Sequence, residues 1–232
     1  MMKDYNTNLI LASNSPRRRQ LLDLLGMAFK VVPANVDETP YPEEPAVDYV
    51  LRLAAEKATW VRDNIEPNAV IIAADTTVTD NGQILGKPRS EAEANDMLKQ
   101  LRGRVHQVYS GVAIVSNGNL STVSVGTDVP MRRYSDDEIQ RYIDTGDPLD
   151  KAGAYAIQHA DFHPVEELRG CYANVMGLPL CHLTKIMLPY NLTLDGKTAD
   201  ACQNYIGYQC SVFSKILDGP DFKIGDGQSD QT

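Results

Sequence analysis

Several short stretches of this chain carry residues whose types and spacing suit chemistry. The first is SNSPRRRQLLDLLG, residues 13–26. Ser15 reads as a helix N-cap, Pro16 as the first helical residue and Gly26 as the left-handed stop. Arg17, Arg18 and Arg19 therefore fall in the first turn of a helix. The helix dipole is already positive there, and each exposed cation costs about 0.3–1 kcal/mol. Pairing of Arg19 with Asp23, one turn on, accounts for one arginine of the three. A bound anion, held by free backbone N–H groups and guanidinium forks together, would account for the others.

Asp75 comes directly after a continuous apolar run, residues 69–74, of strand length. A carboxylate at the carboxyl end of a buried strand stands where α/β proteins gather ligands. A turn Asp capping its own loop is the plainer account. Glu38 follows the strand-like residues 30–36 in the same way, and two such carboxylates can share a divalent metal. Lys57 lies on the apolar side of an amphipathic helix, where snorkelling is the ordinary fate of a lysine. Lys87, in Gly86-Lys87-Pro88, is a loop lysine between neighbours that restrict its backbone. Gln158 closes DKAGAYAIQ, residues 150–158, in which Gly153 permits a close backbone approach. Its amide can read a base edge or satisfy buried backbone groups. His159, His163 and Cys171 lack an evident fourth partner for zinc and are not assigned as ligands.

The elements that must position these residues follow from periodicity and punctuation. A strand at 9–12 feeds the SNSP turn and its helix, and a second strand spans 30–36. After a proline-rich loop at 39–45, Val47, Val50, Leu51, Ala54, Ala58 and Val61 mark an amphipathic helix. The buried strand at 69–74 stops at Asp75, and a hairpin over 77–85 turns at Asn81-Gly82. Ser90 and Glu93 form a capping box opening a helix that Gly103 closes. Strands at 105–115 and 120–129 flank Asn117-Gly118, and a second capping box, Ser135 with Glu138, opens a helix ending near Gly146. Gly177 and Pro179 introduce a last core helix running to about Met187. Beyond Pro189 the texture changes to one helix-like piece, 199–217, and a polar, glycine-rich tail expected to be mobile. The order predicts an α/β domain with a mixed sheet over residues 1–189 and an extension over 190–232.

Composition narrows the function classes. With 232 residues, 43% hydrophobic and 23% charged, the chain reads as a soluble globular protein. A net charge of −9 argues against a general nucleic-acid binder. No signal-peptide core or run of about 18 apolar residues is evident, so a cytoplasmic protein without membrane contact is expected. The four cysteines form no CxxC pair and are expected as free thiols, with Cys202 and Cys210 able to bridge only in an oxidising setting.

Together these segments resemble the Maf family of nucleoside triphosphate pyrophosphatases. The matching pieces are LILASNSPRRRQLLDLLG, VDE at 36–38, AAEKA at 54–58, AADTTV at 73–78 and ILGKP at 84–88. GRVHQVYSGVAI at 103–114, DKAGAYAIQ at 150–158 and YANVMGLPL at 172–180 complete the series. The resemblance implies an α/β fold: a mixed twisted sheet with flanking helices and a central cleft, related to that of inosine triphosphatases, in a homodimer. It implies hydrolysis of a nucleoside triphosphate to the monophosphate and diphosphate. Asp75 would act as base, and Arg18, Lys57 and Lys87 would stabilise phosphate charge. Ser13 and Arg17 would seat the nucleotide, and Glu38 with Asp75 would hold Mg²⁺ or Mn²⁺. Arg17, Thr76 and Gln158 match the branch that hydrolyses dTTP and UTP, whereas another branch prefers 7-methyl-GTP. His159 departs from the glycine usual after that Gln, and the tail beyond Pro189 exceeds the usual family length. The competing expectation is a nucleotide-responsive binding protein in cell-division control. Retention of both carboxylates and the lysines favours an enzyme.

Overall fold

The structure is a computed structural model that describes residues 8–190, 192 and 196–220, and the backbone of 228–231. The chain runs β1 (Leu9–Leu11), α1 (Pro16–Asp23), β2 (Lys30–Val31), α2 (Ala46–Asn64), β3 (Val70–Asp80), β4 (Gln83–Leu85) and α3 (Glu91–Leu101). It continues with β5 (Val105–Ser116), β6 (Asn119–Pro130), α4 (Asp136–Ile143), α5 (Tyr172–Met176), α6 (Leu180–Met187), α7 (Thr198–Ile206), α8 (Phe213–Leu217) and β7 (Gln228–Gln231). The strands form one mixed sheet in the order β2-β1-β3-β5-β6-β7, with β4 also paired to β3. Helices cover both faces. Ile71, Ala73, Ala113 and Val115 pack under Ala54, Ala58 and Val61 of α2. The opposite face, with Ile72, Ala74, Val112 and Ile114, packs against residues of α1, α3, α4, α5 and α6.

The sheet has a fork at its centre. One edge of β3 pairs with β5 without a break from Ile71 to Thr79. The other edge pairs with β1 up to Ile72 and with β4 only from Val78 onward. Residues 73–77 therefore have a strand on one side and no paired strand on the other, and Asp75, Thr76 and Thr77 line a cleft at that opening. This corrects the expectation that the strand stops at Asp75: β3 continues to Asp80. The apolar run ends because the edge opens, and Thr76 to Thr79 are good strand formers that keep the pairing with β5.

Local chemistry explains most boundaries. Ser15 accepts from the Arg18 N–H and Pro16 opens α1. Asn81 and Gly82 both take positive φ, as a two-residue hairpin turn requires. Ser135 and Glu138 form a reciprocal capping box, whereas Glu93 turns its carboxylate to the Arg89 N–H, leaving Ser90 a one-sided cap. The strand expected over 30–36 pairs only at Lys30 and Val31. The piece expected as one helix over 199–217 is two, α7 and α8, because Gly207 ends α7 at φ 70°. Of the tail, residues 228–231 pair in parallel with β6; 221–227 and 232 lie outside the described residues. Among the described residues no helix is long and apolar enough to cross a membrane, and all four cysteines are free thiols.

Candidate active site

The open edge of β3 is the floor of a cleft of about 1240 Å³. Ser13, Arg17, Arg18, Glu38, Lys57, Asp75, Thr76, Lys87 and Gln158 all line it. Strand alternation splits the two central residues: Asp75 faces the α2 side and Thr76 the α1 side.

On the α2 side, Lys57 lies within the buried stripe Val50, Leu53, Ala54, Lys57, Ala58 and Val61. It does not snorkel. Its ammonium is buried and donates to Asp75 Oδ1 at 2.6 Å, and it pairs with Glu38 Oε1 at 2.6 Å. The two carboxylates predicted to act together thus converge on one nitrogen. Burial raises the Asp75 pKa above the usual carboxylate range, opposed in part by the charges of Lys57 and Arg18. Burial also acts upward on Glu38, but the Lys57 contact, with Lys87 and Arg18 beyond it, holds that carboxyl below its ordinary value. The paired carboxylates are pushed apart, which leaves Asp75 the better proton acceptor.

On the α1 side, Arg18 is the centre. Its Nε donates to the Gly177 carbonyl at 2.9 Å, Nη1 to Ser13 Oγ at 3.2 Å and Nη2 to Thr76 Oγ1 at 3.0 Å. Ser110 Oγ donates to the Asn174 carbonyl at 3.0 Å, so the proton in its 2.8 Å contact with Thr76 belongs to Thr76. The relay runs from Arg18 through Thr76 and Ser110 to Asn174. Thr76 therefore contributes by fixing Arg18. A guanidinium has five N–H donors, and among the described residues two of them find no partner, beside the helix N-terminus. Burial lowers the Arg18 pKa while Asp75 acts to raise it. Gly177 is required here, since a Cβ would meet Thr76 Oγ1 at 3.2 Å and Arg18 Nε at 3.3 Å.

The remaining predicted residues stand around the rim. Lys87 is exposed on the loop after β4. Gln158 is exposed at the opposite wall, after Gly153 has taken φ 67° and donated its N–H to the Gly86 carbonyl at 3.1 Å. Arg17 is half-buried, and Arg19 is exposed, with no ion pair to Asp23 among the described residues. His159 Nδ1 accepts from the Phe162 N–H at 3.0 Å. Among the described residues no three His, Cys, Asp or Glu side chains could hold a metal by themselves. Sequence reasoning missed Ser110, Gly111, Asn174 and Gly177. A glycine inside a strand signals a close approach and could have exposed Gly111; the others have partners too distant in sequence to be read.

The fold and site define an α/β protein with a mixed sheet, in whose open-edged cleft two carboxylates share a buried lysine on one side and Arg18, at the α1 N-terminus, stands on the other. The family follows from the sequence. The model described as Maf-like protein matches residues 8–189, and the chain belongs to that family. It is 48% identical over 183 residues to the dTTP/UTP pyrophosphatase of Anaeromyxobacter dehalogenans, a match covering 77% of this chain and 92% of the relative. The dTTP/UTP pyrophosphatase of Clostridium beijerinckii is also 48% identical over 183 residues, covering 78% and 97%. Among solved structures, the Staphylococcus aureus Ham1 protein is similar over 54% of this chain and 72% of its own, at 15% identity and TM-score 0.39. Residues 190–232 lie beyond the family match.

Proposed function

We propose that this protein hydrolyses nucleoside triphosphates, with dTTP and UTP favoured, to the monophosphate and diphosphate. The observation that carries this reading is the convergence of Asp75 and Glu38 on Lys57, 2.6 Å from each, in a cleft faced by Arg18. The relatives named for dTTP and UTP support the substrate.

Asp75 takes the proton of a water that attacks the α-phosphorus. The new bond forms as the bond to the diphosphate bridging oxygen breaks, and the electron pair leaves with diphosphate. Arg18, Lys57 and Lys87 face the charge that builds on the phosphate oxygens, while Ser13 and Arg17 seat the nucleotide. The second oxygens of Asp75 and Glu38 have no hydrogen-bond partner among the described residues, and oxygen donors suit Mg²⁺ or Mn²⁺. Two carboxylates completed by substrate phosphates are a usual Mg²⁺ set. When bound, the metal would lower the pKa of water and neutralise phosphate charge. At the far wall, Gln158 accepts from N3–H and donates to O4 of uracil or thymine.

In this reading residues 1–189 are the catalytic unit of a cytoplasmic homodimer and 190–232 an appendage to it. The test is diphosphate release from purified protein with Mg²⁺ across dTTP, UTP, CTP, ATP, GTP and 7-methyl-GTP. Highest turnover on 7-methyl-GTP would refute the pyrimidine assignment. No turnover on any of them would refute the enzyme.

A further inference from the structure

Glu38 poses a mechanical problem. It belongs to residues 32–45, which have no regular structure between β2 and α2, and its side chain is 52% exposed. A carboxylate must be held within about 0.5 Å to serve a reaction, and a free loop does not do that. The loop is fastened from α2. Tyr49 Oη donates to the Glu38 carbonyl at 2.9 Å. Arg52 grips the Glu44 carboxylate with a two-pronged fork, Nε to Oε1 at 2.6 Å and Nη2 to Oε2 at 2.7 Å. Arg52 Nη2 also donates to the Thr39 carbonyl at 3.3 Å, and the Tyr41 ring covers the guanidinium at 4.0 Å. Glu44 Oε2 in turn accepts the Tyr41 N–H at 3.0 Å, and Glu43 between them is held at φ 58°.

Arg52 is thus bound to the loop at residues 39, 41 and 44, and Glu56 steadies its free end from the next turn at 3.3 Å. Its charge is used up there: hydrogen bonding to Glu44 first, then the two carboxylate charges, raises its pKa. Arg52 does not line the cleft. Lys57, at the other end of the Glu38 ion pair, is carried by the same helix. One rigid element therefore sets both partners.

We propose that Arg52, with Tyr49, is a positioning residue that holds the Glu38 carboxylate in the site and thereby sets the affinity for the divalent metal. This rests on the assignment of Glu38 above and extends it to Arg52, which does not line the cleft, and to Tyr49, whose hydroxyl holds the Glu38 backbone at the cleft wall.

The test is a double-mutant cycle on the whole protein, with UTP as substrate and Mg²⁺ titrated. Beside it, Mn²⁺ binding is read by EPR in the presence of the non-hydrolysable α,β-methylene analogue of UTP; Arg52→Gln should weaken it, and unchanged binding in the folded variant would overturn the proposal. Arg52→Gln is expected to lower kcat about 10- to 100-fold at limiting Mg²⁺, to raise the Mg²⁺ needed for half-maximal rate, and to leave the UTP KM nearly unchanged. Arg52→Lys should behave like Arg52→Gln, because an ammonium cannot make the fork. In a Glu38→Gln background, Arg52→Gln should add nothing, since two residues acting through one contact are not additive. Tyr49→Phe, which removes one hydroxyl, gives the same direction of effect with little risk to folding. Melting temperatures identify any variant that is unfolded at the assay temperature; for such a variant Tyr49→Phe decides. Additive losses in the cycle, or an unchanged Mg²⁺ dependence in folded Arg52→Gln, would overturn the proposal. Full activity of Glu38→Gln would instead refute the assignment of Glu38, and the positioning role with it.

Discussion

Gly111→Ala is the sharpest probe of how the fold makes the site. Gly111 stands opposite Asp75 in the β3–β5 ladder. A Cβ there would lie 2.2 Å from the Val50 carbonyl oxygen, 2.5 Å from its carbon and 2.8 Å from the Leu51 nitrogen. These are backbone atoms of α2, so no side chain can swing away. The helix must retreat by at least about 1.2 Å to reach ordinary contact. Lys57 sits about two turns further along the same helix. Carried with it, the ammonium would stand about 3.8 Å from Asp75, beyond hydrogen-bond reach. A displacement of that size at a reacting centre costs about 100-fold in rate. Overpacking itself costs about 1–3 kcal/mol, which lowers Tm by several degrees in a domain of this size. Steady-state diphosphate release with UTP and Mg²⁺, beside a thermal melt, measures both. The expected result is a kcat lower by about two orders of magnitude in a protein still folded at 25 °C. KM should change little, because Arg18 on α1 does not move. Wild-type kcat in a folded Gly111→Ala protein would show that the Lys57 contact does not govern the reaction.

Asp75→Asn should lower kcat by about 10²–10⁴, the size of a lost general base, while nucleotide binding persists. Because the folded Asp75 pKa is raised, its ionisation opposes folding above that pKa, so Asp75→Asn should melt higher at pH 7. That gain should vanish as the pH falls below the unfolded Asp value; a variant that melts lower at pH 7 contradicts the sign. Arg18→Ala should raise the KM for triphosphates and abolish the rise in Tm that diphosphate gives the wild type, since only ligand binding to the folded state stabilises it. Equal thermal shifts in both proteins would remove Arg18 from anion binding. Gln158→Glu should reduce turnover of UTP and dTTP together, because a carboxylate cannot donate to O4. Unchanged UTP turnover would take Gln158 out of base recognition.

Some parts of this site were legible because they sit at punctuation. Ser13, Arg17 and Arg18 mark a strand-to-helix switch, and a cap, a proline and a glycine announce it. Lys87 and Gln158 lie in segments whose glycines and prolines declare special backbone. Asp75 was found but misplaced, and the error has a physical cause. An apolar run ends either where a strand ends or where one edge of it opens, and one sequence cannot distinguish the two. The fork that opens β3 is made by β1 and β4 pairing to different lengths of it, a fact of assembly. Lys57 shows the opposite failure, since a lysine in an apolar stripe reads as snorkelling until its two carboxylates, 19 and 18 residues away, are seen to close on it. Ser110 and Asn174 give no signal, being small polar residues whose contact spans 64 positions.

α1 has no acidic residue in its first turn, and no carboxylate among the described residues lies within ion-pair distance of Arg18. All three acceptors that hold its guanidinium are neutral: a carbonyl and two hydroxyls. They fix its direction without cancelling its charge. The chain does have carboxylates close by, but Lys57 occupies both and keeps them apart from Arg18. Positive charge at a helix N-terminus, aimed by neutral partners and offset only through space by Asp75 and Glu38, is unfavourable on its own. It becomes favourable when an anion arrives, and the free donors of Arg18 and the helix N–H groups can then act together. In the proposed reaction that cost would be met before substrate arrives, so that no side chain need be reorganised when phosphate charge develops, which is the condition under which fixed dipoles and cations accelerate a reaction.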